Sequence, residues 1–555
     1  MEFQPVLAPL ADSLTWSALV ALIPLAVMFI TLGGLKWKAH WAGLTSLVSA
    51  ILVAVLAFEM PTGMALLSAT EGAVFGLFPI TWIVLTAIWL YQVTVISGRF
   101  EDLRATFGLI SSDPRILAIL IAFCFGGLME ALAGFGAPVA ITGVMLMTVG
   151  FSAFRAAMVV LLANTAPVAF GAVAIPIITA GNLTGIDYHH IGAYVGHQSP
   201  LLAFFVPMLL VLIADGVRGL KQTWPVALTI GAAFAVTQWI SATYISVELT
   251  DVIASLSALA VGVVFLRFWQ PKGGEEALER MAAERADENL APVDDTRHAP
   301  AGALTGGRIF MALFPYLLVI AIFVIAKLVG PVQKFLVGTD IKIAWPGLHG
   351  RLLTISGDVS ASATYTFSWL SGPGTLLLIT GFIVGLVYRV SVKDMLLEFW
   401  NTMYKMRWSA LTIASVLALA YVMNFSGQTI TIGNWIAGVG AAYAFFAPVL
   451  GWIGTAVTGS DTSANALFAT LQQATGERIG VDPTLLVAAN TTGGVVGKMI
   501  SPQNLAIAAS AVGLLGSESD IFRKVIWWSL GMLFLLCLLI GLQSTPVLNW
   551  MLPNF

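Results

Sequence analysis

Charge is what this chain has least of. Only 10% of its 555 residues are Asp, Glu, Lys or Arg, where a soluble domain carries about 25%. Hydrophobic residues make up 58%, and the mean hydropathy is +0.91. So little charge cannot cover a water-facing surface. The apolar runs of about 17–25 residues have the length of membrane-spanning helices. A basic surplus is missing too: 26 Lys and Arg stand against 29 Asp and Glu, a net charge of −3. That removes nucleic acid from the partners and leaves membrane lipid and a small molecule. Cysteine is nearly absent. Cys124 and Cys537 both lie in apolar runs, which argues against a disulfide or a thiolate metal site. No Ser-His-Asp arrangement, HExxH or nucleotide fingerprint occurs, so no catalytic residue is assigned and the chain does not read as an enzyme. The run Gly493–Ser501 approaches a P-loop, but Thr492 stands where Gly is needed and Met499 where Ser or Thr is needed. His189 and His190 have no cysteine or carboxylate cluster at metal-ligand spacing, and His197 reads as an interfacial residue. No metal is expected, and no cofactor beyond a coupling ion. The opening Met1-Glu-Phe-Gln lacks the basic flank of a cleavable signal, so the first helix is expected to be retained.

The fold class is therefore all-α and polytopic. Basic loops stay in the cytoplasm. Lys36–His40, the loop with Arg99, Arg104 and Arg115, the loop with Arg218 and Lys221, the linker 271–307, the segment from Arg389 to Arg407, and Arg523–Lys524 are all basic. The loop from Glu59 to Glu71, the loop Asp187–His197 and the acidic loop with Glu248 and Asp251 alternate with them on the outside. The pattern predicts about 12 crossings, near 15–35, 41–58, 73–97, 156–180, 198–214, 225–245, 250–267, 308–330, 372–388, 408–424, 484–509 and 525–545, with both termini periplasmic. Two apolar segments do not fit as crossings. Residues 116–150 start and end at basic loops, with Gly134-Phe-Gly-Ala-Pro138 between them; residues 448–476 hold Thr458–Asn465. Each reads as a re-entrant hairpin, with its tip at 134–138 or 458–465. Non-helical backbone at membrane depth is tolerated where it is buried in protein or faces a water-filled cavity.

An internal repeat orders these parts. Shifting the sequence by 326 residues lays Asn164 on Asn490, Thr165 on Thr491, Gly171 on Gly497 and Pro176 on Pro502. The same shift superposes the two hairpin tips. By the charge pattern the matching segments run in opposite directions. The expected organisation is an N-terminal repeat, 1–270, a cytoplasmic linker, 271–307, and an inverted C-terminal repeat, 308–555. Inverted repeats whose broken helices meet at the midplane are a design of secondary transporters.

Three charges remain in the apolar stretches: Glu130, Asp461 and Lys498. A charge at bilayer depth costs about 3 kcal/mol on insertion scales, so each is a functional candidate by default. The competing reading is an ion pair that only joins the halves, Asp461 with Lys498 for example. Desolvation disfavours a carboxylate's charged form, so Glu130 and Asp461 are the proton-coupling candidates. Lys498 is the natural partner of an anionic substrate. Asn164, Thr165, Asn490 and Thr491 beside the breaks, Ser460 and Ser463 beside Asp461, and the backbone at Gly134 and Gly136 complete the substrate-binding candidates. Asn and Thr equally well join transmembrane helices.

Four runs, Glu130–Thr142, Asn164–Ile177, Thr458–Ala469 and Ala488–Ala508, resemble the bacterial lactate permease family. The similarity extends over nearly the whole chain. It implies an inner-membrane symporter of protons with L-lactate, D-lactate or glycolate. The alternative is a sodium-coupled carrier of di- or tricarboxylates, which would need several basic groups at depth where only Lys498 is found. Oligomeric state is not legible in the sequence.

Overall fold

The computed structural model describes residues 2–35, 37–100, 102, 110–132, 134, 136–287, 305–355, 357, 359–360, 363–514 and 517–553. Phe135 of the first predicted tip and residues 288–304 of the linker lie outside them. Among the described residues the regular structure is helical apart from one antiparallel ribbon, Ile341–Ala344 with Thr364–Phe367. Among the described residues, nine helical stretches are long and apolar enough to cross a bilayer. Five apolar helices among the described residues are shorter, including Pro138–Thr148, Ala153–Ala163 and Gly171–Thr184. A 14-residue helix such as the last covers about 21 Å, less than a 30 Å hydrocarbon core.

The first group is α1 (Gly126–Leu132), α2 (Ala137–Thr148), α3 (Ala153–Ala163) and α4 (Gly171–Thr184). The long helices α5 (Val206–Ile240) and α6 (Thr250–Phe268) pack on it. The linker begins as a helix, α7 (Gly274–Asp287), rather than a loop. Arg280 of α7 grips Asp215 at 2.8 Å, and Arg285 donates to the carbonyl of Phe151 at 2.7 Å. The second group follows α8 (Val392–Ser426): α9 (Tyr443–Thr458), α10 (Asp461–Ile479), α11 (Pro483–Gly497) and α12 (Pro502–Ala511).

Each group is broken twice, for local reasons. Between α1 and α2 the chain needs a left-handed backbone, which Gly134 (φ 50°) and Gly136 (φ 84°) supply. Pro138 then opens α2, where its missing N–H is no loss. Gly459 (φ 77°) ends α9, and the Ser460 hydroxyl caps α10 by accepting from the Ser463 N–H at 3.3 Å. Irregular turns over 164–170 separate α3 from α4. Ala172, Val173 and Ala174 then adopt φ of 45°, 61° and 58°. Left-handed backbone costs a residue with a side chain about 1–2 kcal/mol, so surrounding packing must hold this turn in place. In the second group Lys498–Ile500 forms a tight turn, Ser501 is extended, and Pro502 restarts the helix. Under the 326-residue shift, 172–174 fall on 498–500, so these two breaks occupy equivalent positions.

Small residues let the second group close up. A Cβ on Gly493 would lie 2.0 Å from the Pro448 carbonyl, and one on Gly497 2.3 Å from that of Trp452. Two glycines four apart give the contact face on which α9 and α11 touch backbone to backbone.

Two placements differ from the sequence reading. Glu71 is expected in an outer loop, but the stretch Thr62–Ile96 is helical and Glu71 is 1% exposed within it. Glu248 and Asp251 are likewise expected in an acidic outer loop, yet both are buried, Asp251 in the first turn of α6. A hydropathy boundary drawn at the first charge assigns that charge to water. Here neighbouring helices cover it instead.

Candidate functional site

Glu130, Asp461 and Lys498 line one cavity of about 940 Å³. Its floor is made by the four breaks: Gly134, Gly171 and Ala172 from the first group, Gly459, Ser460 and Ile500 from the second. Its rim carries Lys38, Trp408, Glu518 and Arg523. The cavity thus runs from the buried Glu130, Asp461 and Lys498 to exposed residues, Lys38 and Arg523 among them.

On the floor, the Lys498 Nζ donates to Glu130 Oε1 at 2.5 Å. The partners are 368 residues apart, both are buried, and each comes from a different group of broken helices. The ion pair contemplated from the sequence joined Lys498 to Asp461; the structure joins it to Glu130. Lys498 sits where α11 gives way to its terminal turn, with its carbonyl accepting from the side chains of Ser501 and Asn504. Glu130 is seated against the start of α4. A Cβ on Gly171 would lie 3.0 Å from Oε1, so glycine keeps the seat open. Glu130 Oε2 has no hydrogen-bond partner among the described residues.

Asp461 opens α10, where the helix dipole favours a negative charge. Its Oδ1 accepts from the Thr455 hydroxyl at 3.4 Å and rests on Gly494, whose added Cβ would come within 1.9 Å of it. Oδ2 has no partner among the described residues, and the Lys498 charge reaches this carboxylate. Two carboxylates thus face a single ammonium on the floor. An anion entering such a site is repelled unless a carboxylate takes up a proton or the lysine is released.

The other sequence candidates divide. Ser460, Ser463 and Gly134 line the cavity. Gly136 faces Ile507 and Asn504 instead. Asn490 and Thr491 do not line it. The Asn490 side-chain amide donates to Asn465 Oδ1 at 2.9 Å, and the Asn465 amide donates to Thr491 Oγ1 at 2.9 Å and to the Pro176 carbonyl at 3.0 Å. These groups tie α10, α11 and α4 together. Asn164 and Thr165 line a narrow cleft against Lys498, Met499 and Asn504. The Thr165 hydroxyl returns to the Leu162 carbonyl, while Asn164 Oδ1 has no partner among the described residues. His197 is engaged at both ring nitrogens, with the Ala193 carbonyl and with the Trp239 indole N–H.

Sequence reasoning gave no role to Gly171 beyond the repeat and overlooked Gln503, which lines the cavity and abuts Gly459. The polar run Ser501-Pro-Gln-Asn504 was the available signal for the latter.

A family model described as L-lactate permease matches residues 17–547. The L-lactate permease of Bacillus subtilis (strain 168) is 41% identical over 570 residues, covering 100% of both chains. The glycolate permease GlcA of Escherichia coli (strain K12) is 42% identical over 524 residues, 93% of each chain. The L-lactate permease of the same strain is 38% identical over 558 residues, 98% of each.

Proposed function

Because the chain belongs to the L-lactate permease family and is therefore a transporter rather than an enzyme, we propose that it takes up L-lactate and related 2-hydroxy-monocarboxylates, D-lactate and glycolate among them, by proton symport across the bacterial inner membrane. The observation that carries this reading is the buried Lys498–Glu130 pair at the cavity floor. A 2-hydroxy acid is anionic at neutral pH, since a carboxyl group titrates near 4. Glu130 and the substrate carboxylate compete for the same ammonium. Protonating Glu130 releases Lys498 to the substrate. Proton and anion therefore bind together.

The energetics run the same way. Removing one partner from a buried ion pair costs about 3–5 kcal/mol, because the other charge is stranded. Supplying a new carboxylate to Lys498 as Glu130 goes neutral avoids that cost. Importing the bare anion against a negative interior costs about 2.3 kcal/mol per 100 mV. One accompanying proton cancels it. Ser460, Ser463 and Thr462 lie beside the floor to receive the 2-hydroxyl. A single lysine suits a monocarboxylate better than a di- or tricarboxylate.

Lys38 and Arg523 on the rim fall in basic segments expected in the cytoplasm, so this form is inward-open. The coincidence of the breaks under the 326-residue shift supports an inverted repeat, with the α1–α2 and α9–α10 turns as re-entrant tips.

The test is transport by purified protein in proteoliposomes. Glu130→Gln leaves Lys498 without its carboxylate partner. The variant is expected to exchange internal for external lactate still, but to lose accumulation driven by a pH gradient. Full gradient-driven accumulation by Glu130→Gln contradicts the mechanism.

A further inference from the structure

The large cavity does not reach the far end of the helices that line it. α4 contributes Pro176 to it, and α8 contributes Ile413. Further along the same two helices, Asn182 and Tyr421 line a second cavity, of about 220 Å³. No residue lines both. Pro176 to Asn182 spans about 9 Å of helix and Ile413 to Tyr421 about 12 Å, so a thin barrier parts the two. Thr179, in that interval on α4, is 0% exposed, and its hydroxyl has no partner among the described residues.

The second cavity has a polar side and an apolar side. Asn424, near the end of α8, accepts at Oδ1 from the Thr429 and Thr470 hydroxyls, each at 2.7 Å. That fixes the amide and leaves its N–H groups for the cavity. The Tyr421 ring packs on Phe425, with centroids 5.3 Å apart. Phe425, Leu353 and Ile430 supply the apolar side, and no charged residue lines the cavity. Its roof is the segment Phe3–Leu7. Pro5 lines the cavity and lies against Gly427, where an added Cβ would come within 2.8 Å of it. The Phe3 N–H donates to the Arg351 carbonyl and the Leu353 N–H to that of Phe3, both at 2.9 Å. The Gln4 side chain donates to the Ile355 carbonyl at 2.9 Å, and the Thr431 hydroxyl to that of Leu7 at 2.9 Å.

We propose that this second cavity is an outer docking site for the substrate, at the far end of the path whose inner end is the large cavity. It rests on the uptake reading above for the ligand, a small 2-hydroxy-monocarboxylate, and for which face is outward. The Tyr421 hydroxyl and the Asn424 amide donate to the carboxylate, and the wall of Leu353 and Phe425 takes the substituent on C2. With no full opposite charge facing it, the anion is held less tightly here than by the Lys498 ammonium. Weak holding suits an entry site, which must pass its ligand on to the floor. The proton is then required only at the floor, where a carboxylate competes with the substrate. A buried hydroxyl left unbonded is costly, and Thr179 offers one between the two sites to a ligand that crosses when the barrier opens.

The test uses the full chain in right-side-out membrane vesicles, with L-lactate as the probe. Cys124 and Cys537 are both buried, so Asn182→Cys, at an exposed position on the cavity, supplies the thiol that an impermeant maleimide added outside reaches. L-lactate well above its Kd is expected to slow this labelling about fivefold or more. The same protection is expected when the chain also carries Lys498→Ala, which removes the ammonium from the floor. Adding Tyr421→Phe should cut the protection to less than about twofold. A thiol that does not label, labelling that lactate leaves unchanged, or protection that Tyr421→Phe leaves intact overturns the outer site. Protection that vanishes with Lys498→Ala reports the floor alone and overturns it too. Should Lys498→Ala not reach the membrane, the Tyr421→Phe comparison decides by itself. The uptake reading fails separately, if the native chain carries no L-lactate into the vesicles.

Discussion

At the second pair of breaks, Asn465, Asn490 and Thr491 bond to one another and to the Pro176 carbonyl, leaving little free. At the first pair, the matching Asn164 keeps an unbonded carbonyl oxygen beside Lys498, and Glu130 makes a single ion pair that reaches across to the other half. The same residue types at repeat-related positions thus do different work. One half is glued; the other is left able to rearrange. Breaks 326 residues apart bring two broken helices to one cavity, and the proposed coupling needs only one of them to change partners. On the proposed mechanism the second half provides the lysine, and the first provides the carboxylate that lets go.

That contrast can be broken by substitution. Lys498→Ala removes the group on which both halves converge, and lactate uptake by cells carrying it should fall at least about 100-fold, the loss of a buried charge pair being worth about 3 kcal/mol or more. Unchanged affinity in that variant ends the anchor assignment. Next comes the glue. Asn465→Ala should lower unfolding stability by about 1–3 kcal/mol, read by thermal denaturation in detergent, since several interhelical hydrogen bonds of about 0.6 kcal/mol each are lost and others orphaned. Asn164→Ala should change stability by less than about 0.5 kcal/mol, having no such network to break. Equal losses in the two variants would erase the distinction between the halves. Gly494→Ala pushes a methyl group into Asp461, and overpacking of this kind costs about 1–3 kcal/mol. Uptake should drop about tenfold, with Gly143→Ala, whose Cβ meets only ordinary contacts, as the mild control. The smallest effect is expected at Ser463→Ala, a rise of about two- to fivefold in KM for lactate with kcat nearly kept, as loss of one neutral hydrogen bond of about 0.5–1.5 kcal/mol predicts.

Much of this was legible in the sequence. Glu130, Asp461 and Lys498 stand out because charge is so scarce in their runs, and the structure brings all three to one cavity. Gly134-Phe-Gly-Ala-Pro138 and Thr458–Asn465 announce breaks because glycine and proline admit the backbone that a turn needs. The family was readable from four long motifs. What stayed hidden follows from the same logic. The Lys498–Glu130 contact joins residues 368 apart, and no local pattern encodes so distant a pairing. The left-handed turn at Ala172–Ala174 carries no glycine or asparagine to mark it, being imposed by packing. Glu71 and Asp251 were read as loop residues because their charge was itself taken as the edge of the membrane segment. Burial by neighbouring helices reverses that inference, and only the packed structure contains it.

The account stands on Glu130 exchanging its lysine for a proton when substrate binds. Proton uptake can be counted directly when lactate is added to purified protein in weakly buffered solution near neutral pH. The native chain should take up protons in proportion to lactate bound, and Glu130→Gln should bind lactate with no accompanying uptake. Proton uptake by Glu130→Gln equal to the native value, or native binding with none, contradicts it.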